Sequence, residues 1–231
     1  MASFEQHINV AVIATGLGIV PLHSAGLLDV NQSLIALSLG VFGTMLPDLD
    51  SNQSKPTRIV FKMLSVFLPL IVLLSIPNPL SIFSIIGVWV LSSLVLHYLF
   101  FKTFLSITSH RGLFHSIPMG IFLAQVTVYL FYHFSTADKT FSLFAGFFIL
   151  FGFLIHLFLD EMFSIDVFGM ELKRSFGSAL KIYAKHNILG TFLLYALIAT
   201  MYYTLTLNFN DNFYINFSQD ILDALQKVKL F

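Results

Sequence analysis

The 231-residue sequence has no cysteine, few charged residues and no net charge, and each absence excludes a class of protein. Without cysteine there can be no disulfide, no thiolate metal ligand and no cysteine nucleophile. Charged residues make up only 10% of the chain, against about 25% in a typical soluble domain, so the polar surface that water requires is missing. A formal net charge of zero gives no indication of a nucleic-acid partner. The first residues lack a basic segment and a cleavage site, so we expect them to stay in the mature protein.

Apolar residues are abundant instead, at 57% of the chain with a mean hydropathy of +0.85. A membrane-spanning helix needs about 20 largely apolar residues. Seven stretches of this kind predict an all-α, polytopic transmembrane bundle: 8–28, 32–47, 59–76, 80–101, 113–134, 141–160 and 188–207. The second stretch is short and could be re-entrant or tilted. We expect one membrane domain over residues 1–207 and a tail over 208–231 that contains an amphipathic surface helix.

The orientation of the bundle is predicted from lysine and arginine, which favour the cytoplasmic side of short loops. With seven spans, the loops at 48–58, 102–112 and 161–187 fall on the same side of the membrane. Together with the start of the third span they hold nine of the 12 basic residues: Lys55, Arg58, Lys62, Lys102, Arg111, Lys173, Arg174, Lys181 and Lys185. This pattern predicts a cytoplasmic N-terminus. It also indicates that the short second stretch crosses the membrane, because otherwise the three basic loops would not lie on the same side.

Two carboxylates follow the second stretch, in Leu46-Pro47-Asp48-Leu49-Asp50. Both can reach inward if the chain is extended there, and Pro47 favours leaving the helix near that point. An ordinary Pro-Asp turn would explain the same residues.

Two histidines flank an arginine and a glycine where the chain enters the fifth stretch, in Ser109 to Ser116. His110 and His115 can converge if His110 lies just before the helix, and Arg111 suits an anion such as phosphate. The plainer interpretation is that Arg111 anchors the loop at the interface.

His156 and Asp160 lie at positions i and i+4 near the end of the sixth stretch, so both side chains share one helical face. Helices present metal ligands in this way, although a histidine that hydrogen-bonds its own aspartate has the same spacing. His7 stands at the start of the first stretch, where a lone interfacial histidine is also common.

The predicted topology brings all of these groups to one membrane face, which random placement would not do. The candidate metal ligands are His7, Asp48, Asp50, His110, His115, His156 and Asp160. A set of imidazoles and carboxylates suits zinc or manganese, with iron or magnesium also open. Seven ligands exceed the needs of one tetrahedral ion, so we expect one or two divalent ions that activate water for hydrolysis. The candidate catalytic residues are Arg111, which would hold an anionic substrate, and Asp50.

Four segments in this order resemble a known family: Glu5-Gln6-His7, Leu46 to Asp50, His110 to Ser116 and His156 to Asp160. They are similar to the motifs of LexA-regulated inner-membrane proteins that are assigned as metal-dependent hydrolases, with landmarks from residue 5 to about residue 169. The resemblance implies a bacterial inner-membrane location, a metal cofactor and hydrolase activity. Ser51, Phe114 and Ser164-Ile165 depart from the family pattern. They remove no candidate ligand, but they bear on substrate preference.

The depth of the candidate site, level with lipid headgroups, predicts a lipid or lipid-linked ester as the substrate. Two other classes stay open from the sequence. One is a divalent-metal transporter or a non-catalytic metal-binding membrane protein, although transporters tend to hold ions near the membrane midplane. The other is a set of hydrogen-bonded histidine–aspartate pairs that binds no metal.

Overall fold

The protein is described by a computed structural model. The described residues are 3–50, 55–75, 81–100, 112–135, 137–166, 171–172, 180–184, 187–209, 217–219, 221–223 and 226. Among them are seven α-helices with both ends described: α1 (Phe4–Ser24), α2 (Val30–Met45), α3 (Lys55–Ser75), α4 (Ile82–Val95), α5 (Ile117–Phe134), α6 (Lys139–Met162) and α7 (Ile188–Asn208). A 3-10 helix, Pro47–Asp50, follows α2, and a π-helix, Leu96–Phe100, continues α4. Two strands of two residues, β1 (Ile165–Asp166) and β2 (Glu171–Leu172), pair antiparallel, with Ile165 opposite Leu172.

Five helices in the described part of the chain are long and apolar enough to cross a membrane: α1, α4 with the first residues of its π-helix, α5, α6 and α7. The sixteen-residue α2 is apolar but shorter. Large apolar side chains such as Leu17, Phe83 and Leu189 are well exposed along these helices, which suits lipid contact rather than water. The helical membrane architecture is therefore confirmed, while seven spans and a cytoplasmic N-terminus stay predictions.

The helix boundaries differ from the predicted stretches for local reasons. Helix α1 begins at Phe4 because Ser3 and Gln6 form a capping box, in which each side chain bonds the other's backbone N–H. It ends four residues before position 28, in a turn where Gly26 has a φ of 75°, a conformation that favours glycine. Helix α5 begins at Ile117 rather than at 113, with Ser116 at its N-cap and Pro118 in its first turn.

Contacts divide the chain into two compact units: Met1–Pro47 with Leu113–Phe231, and Asp48–Gly112. In the first unit, α6 is the most buried helix, with twelve buried residues that include Phe148, Phe153 and Leu157. A helix that is apolar on every side belongs in the interior. Helices α1, α2 and α5 pack around it. The membrane domain over residues 1–207 and the tail over residues 208–231 stay predictions.

Helices α2 and α6 approach each other very closely, because both carry glycine at the contact. A Cβ atom added to Gly152 would overlap the carbonyl oxygen of Gly40, and one added to Gly43 would overlap that of Ile149. Small residues let membrane helices meet backbone to backbone. This contact sets the position of the C-terminal half of α6, which carries His156 and Asp160.

The second unit contains α3, α4 and the π-helix. Trp89 of α4 donates a 2.9 Å hydrogen bond from Nε1 to the carbonyl of Val66 in α3. Ser65 of α3 lies 3.5 Å from Nδ1 of His97 in the π-helix. Thr57 donates a hydrogen bond to the carbonyl of Asp48, which joins the start of α3 to the 3-10 helix.

Candidate metal centre

Four buried ionisable side chains meet at one end of the first unit. His7 lies near the start of α1, His115 lies just before α5, and His156 and Asp160 lie near the end of α6. Their exposed fractions are 4%, 0%, 1% and 2%, respectively. A buried carboxylate is costly unless a positive charge or hydrogen bonds compensate for it, so this cluster needs an explanation.

Helix α6 supplies two members of the cluster from one face, as their i, i+4 spacing predicts. Nε2 of His156 lies 3.8 Å from Oδ2 of Asp160. This separation is longer than a hydrogen bond, which spans about 2.7–3.2 Å for a nitrogen donor and an oxygen acceptor. The hydrogen-bonded pair that the sequence left open between these two side chains is therefore not formed.

Helix α1 brings His7 to the other oxygen of the carboxylate. The distance from Nε2 of His7 to Oδ1 of Asp160 is 3.6 Å. The His7 ring also stacks on His156, with ring centroids 4.0 Å apart and planes 24° apart. The capping box at Ser3 starts the helix one turn before His7, which puts the carbonyl of Ser3 within hydrogen-bond distance of the His7 ring.

His115 completes the cluster from the segment that leads into α5. Its Nε2 lies 4.0 Å from Oδ2 of Asp160, and its ring meets that of His156 edge-on, with 5.7 Å between centroids. Ser116 closes the turn by donating from Oγ to the carbonyl of Leu113, and the N–H of Ile117 donates to the carbonyl of Lys181. These bonds hold the backbone beside His115 on both sides.

The tautomers of His7 and His156 follow from their partners on the far side of each ring. Nδ1 of His7 lies 2.9 Å from the carbonyl oxygen of Ser3, and Nδ1 of His156 lies 2.7 Å from that of Thr44. A carbonyl oxygen only accepts, so each Nδ1 carries the proton and, in a neutral ring, each Nε2 carries a lone pair. Metal-binding histidines are held in this way, with the other N–H on a carbonyl or carboxylate.

The lone pairs of His7 and His156 therefore face the oxygens of a carboxylate, which is repulsive unless a cation lies between them. Nε2 of His7 and Oδ1 of Asp160 have no hydrogen-bond partner within the described part of the chain. One ligand atom from each of His7, His156 and Asp160 can be chosen so that all lie within 4.8 Å of one another. In a tetrahedral zinc site with bonds of about 2.1 Å, neighbouring ligand atoms are about 3.4 Å apart. The observed nitrogen–oxygen distances of 3.6, 3.8 and 4.0 Å need only a small contraction.

The remaining predicted site residues belong to the second unit or lie outside the described residues. Asp48 and Asp50 lie in the 3-10 helix Pro47–Asp50, whose carboxylate-bearing residues belong to the second unit. His110 and Arg111 lie outside the described residues. The ligand roles of Asp48, Asp50 and His110, and the catalytic roles of Arg111 and Asp50, stay predictions from the sequence.

Two residues of the site were not among the sequence candidates, namely Ser3 and Thr44, which hold the histidines through their main-chain carbonyls. Both leave a sequence signal. Ser3 and Gln6 have the spacing of a capping box. Thr44 stands three residues before Pro47, and proline lacks the N–H that would make an i+3 bond to the carbonyl of Thr44 at the helix end.

The fold and the site together define a polytopic helical membrane protein with a buried cluster of histidine and aspartate that could bind metal. Comparison with known proteins gives its family. Residues 1–210 match the family model of the YdjM inner membrane protein, so the chain belongs to the YdjM inner membrane protein family. The family's description and the apolar helices agree with an inner-membrane location. No curated protein and no solved structure matches the chain.

Proposed function

We propose that this protein is a membrane-embedded, metal-dependent hydrolase whose centre is held by His7, His115, His156 and Asp160. The observation that carries the proposal is the pair of fixed tautomers: Nε2 lone pairs from two helices face one buried carboxylate. Divalent cations beside these atoms would compensate the charge of Asp160 and would accept the Nε2 lone pairs of His7 and His156. A bound ion of this kind supplies hydroxide at neutral pH, because it lowers the pKa of its water to about 7.

The ring geometry supports two ions rather than one. The planes of His7 and His156 are nearly parallel at a centroid distance of 4.0 Å, so the Nε2 lone pairs of the two rings do not point at a common position. The two rings also face different oxygens of Asp160, with His115 on the side of His156. Asp160 would then contribute a ligand to each of two ions, as in centres whose paired ions activate water for hydrolysis.

The substrate class is proposed from the place of the centre in the helices. His7 lies in the first turns of α1, while His156 and Asp160 lie in the last turns of α6. Helix ends of membrane-spanning length lie near the lipid headgroups. This supports a lipid or lipid-linked ester as substrate, and Arg111, from its sequence motif, would hold an anionic headgroup.

A metal analysis of the purified protein in lipid nanodiscs tests the proposal directly. We expect about two equivalents of zinc or manganese per chain, and hydrolysis of lipid phosphoesters that a chelator abolishes and added metal restores. His133→Asn is the matched control, because His133 is exposed at the far end of α5. Wild-type protein that binds no divalent metal would refute the proposal, and equal turnover with and without chelator would refute its mechanism.

A non-catalytic metal site is the second candidate, and the deep burial of the four side chains favours it. Closed sites of this kind stabilise a fold, whereas catalytic sites keep a position open for water. Metal that raises the unfolding temperature without any turnover across ester and phosphoester substrates would assign the centre to this class. A transporter is less well supported, because its ions would bind nearer the middle of the helices.

A further inference from the structure

Thr44 contacts the backbone of α6 through its side chain while its carbonyl holds the ring of His156. Its Oγ1 donates toward the carbonyl of Gly152 at 3.0 Å and toward that of Gly40, in its own helix, at 3.1 Å. Its main-chain oxygen lies 2.7 Å from Nδ1 of His156. Thr44 is 1% exposed, so these bonds are shielded from water and from competing partners.

The two contacts reach the same turn of α6. In an α-helix the carbonyl of residue i accepts the N–H of residue i+4, so the Gly152 carbonyl that Thr44 contacts is also the acceptor for the backbone of His156. Thr44 thus fixes His156 twice, once through the carbonyl that holds its backbone and once through its imidazole. A shift of α2 along α6 would disturb both contacts together.

The carbonyl of Thr44 is free for this purpose because α2 ends at Met45. The last four carbonyls of a helix have no partner within it, and Pro47, three residues after Thr44, cannot supply the i+3 N–H that often closes a helix end. The threonine hydroxyl then holds the helix end close to Gly152, where no side chain intervenes. The segment Thr44-Met45-Leu46-Pro47 therefore ends α2 and also supplies the carbonyl that accepts the hydrogen bond from His156.

We infer that Thr44 is a positioning residue for the proposed metal centre: its hydroxyl fixes α2 against α6 so that its carbonyl holds His156 with Nε2 toward Asp160. The expected change in metal affinity rests on the proposed function. The tautomer of His156, in contrast, can be measured without metal. Residues that orient a metal ligand from behind typically change affinity 10- to 100-fold when they are altered.

The test compares Thr44→Val and Thr44→Ala, which lack the hydroxyl, with Thr44→Ser, which keeps it. Zinc affinity is measured on the full chain in nanodiscs, with Gly16→Ala as a control because a Cβ at Gly16 meets nothing within 4 Å. We expect at least a tenfold weaker zinc affinity in the valine and alanine variants, and an affinity close to wild type for the serine and control variants. Equal affinities in all variants, or equal losses in the serine and valine variants, would overturn the inference and leave the metal centre intact.

Imidazole nitrogen NMR on metal-free protein labelled with ¹⁵N-histidine separates this inference from the proposed function. The His156 signals, identified by their loss in His156→Asn, should show a single tautomer with the proton on Nδ1 in wild type and Thr44→Ser. Thr44→Val and Thr44→Ala should show a mixture of tautomers. If wild type binds no zinc, the proposed function fails while this pattern still supports the positioning role. The same tautomer distribution in all four proteins would refute that role.

Discussion

Replacing Asp160 with asparagine gives opposite effects on stability with and without metal, if the centre holds divalent ions. The substitution keeps the shape of the side chain and removes its charge. Asp160 is 2% exposed, and its oxygens lie 3.6–4.0 Å from three imidazole nitrogens without a hydrogen bond to any of them. Within the described part of the chain, Oδ1 of this carboxylate has no hydrogen-bond donor, and a buried charge without one is destabilising in the metal-free protein.

The expected gain in the metal-free protein is about 1–3 kcal/mol, the cost of leaving one buried polar group unsatisfied. In the metal-loaded protein the sign reverses. At a metal concentration 1,000 times the dissociation constant, wild type gains about 4.1 kcal/mol from binding, which exceeds the advantage of the variant. For a chain of this size, about 2–4 °C per kcal/mol makes that an increase of about 8–16 °C in unfolding temperature. Asp160→Asn should lose nearly all of this increase, because the amide carries no charge to attract the cation.

The assay is thermal unfolding of both proteins in the same detergent, first after chelation and then with increasing zinc. Isothermal titration of zinc gives the affinity, which we expect to fall by more than 100-fold in Asp160→Asn. His133→Asn, altered at the opposite end of α5, should follow wild type in both experiments. A loss of stability in chelated Asp160→Asn, with no dependence on zinc in wild type, would show that Asp160 instead balances a protonated histidine, and it would refute the metal centre.

Three further outcomes are expected from the same geometry. His7→Asn should reduce bound metal from about two equivalents per chain to one, because His7 alone among the three imidazoles faces Oδ1 of Asp160. Unchanged metal content would contradict the proposal of two ions. His115→Asn should lower zinc affinity by at least tenfold while His23→Asn leaves it unchanged, because His23 bonds the carbonyl of Leu28 at the other end of α1; isothermal titration decides between them. Lys139→Met should lower the free energy of unfolding by about 1–2 kcal/mol without changing zinc affinity. The reason is that Lys139 donates to the carbonyl of Asn208 at the end of α7 and lies over the Tyr132 and Phe209 rings. Equal unfolding temperatures of variant and wild type would contradict this contribution.

Hydropathy was sufficient to predict the helical membrane architecture, because a span needs only length and apolar composition. Each of the seven predicted stretches coincides with a helix, yet their ends differ by several residues. The start of α1 depends on two side chains, Ser3 and Gln6, that contribute nothing to hydropathy. The break between α4 and its π-helix at Leu96 has no signal in composition at all.

The gathering of His7, His115, His156 and Asp160 could also be predicted, because span ends that share a face must lie near one another. What the sequence could not give is the direction of each lone pair. That direction depends on which carbonyl stands behind each ring, and both carbonyls belong to the main chain, where residue identity is a weak guide. The close contact of Gly152 with Gly40 was equally hidden, since it pairs glycines more than a hundred residues apart.

The position of the cluster depends on where an apolar helix bundle has backbone N–H and carbonyl groups that the helices do not use for their own hydrogen bonds. Within a membrane helix every N–H and carbonyl is used by the helix itself, and only the ends leave any free. Thr44 offers such a carbonyl at the end of α2, whereas the carbonyl of Ser3 already accepts the backbone N–H of His7 and takes its ring as a second donor. An imidazole that must present Nε2 to a ligand needs an acceptor for Nδ1, and for His156 the end of α2 supplies a carbonyl that no helical bond uses. The same constraint explains why His156 stands in the last two turns of α6, level with the end of its neighbour, rather than deeper in the bundle.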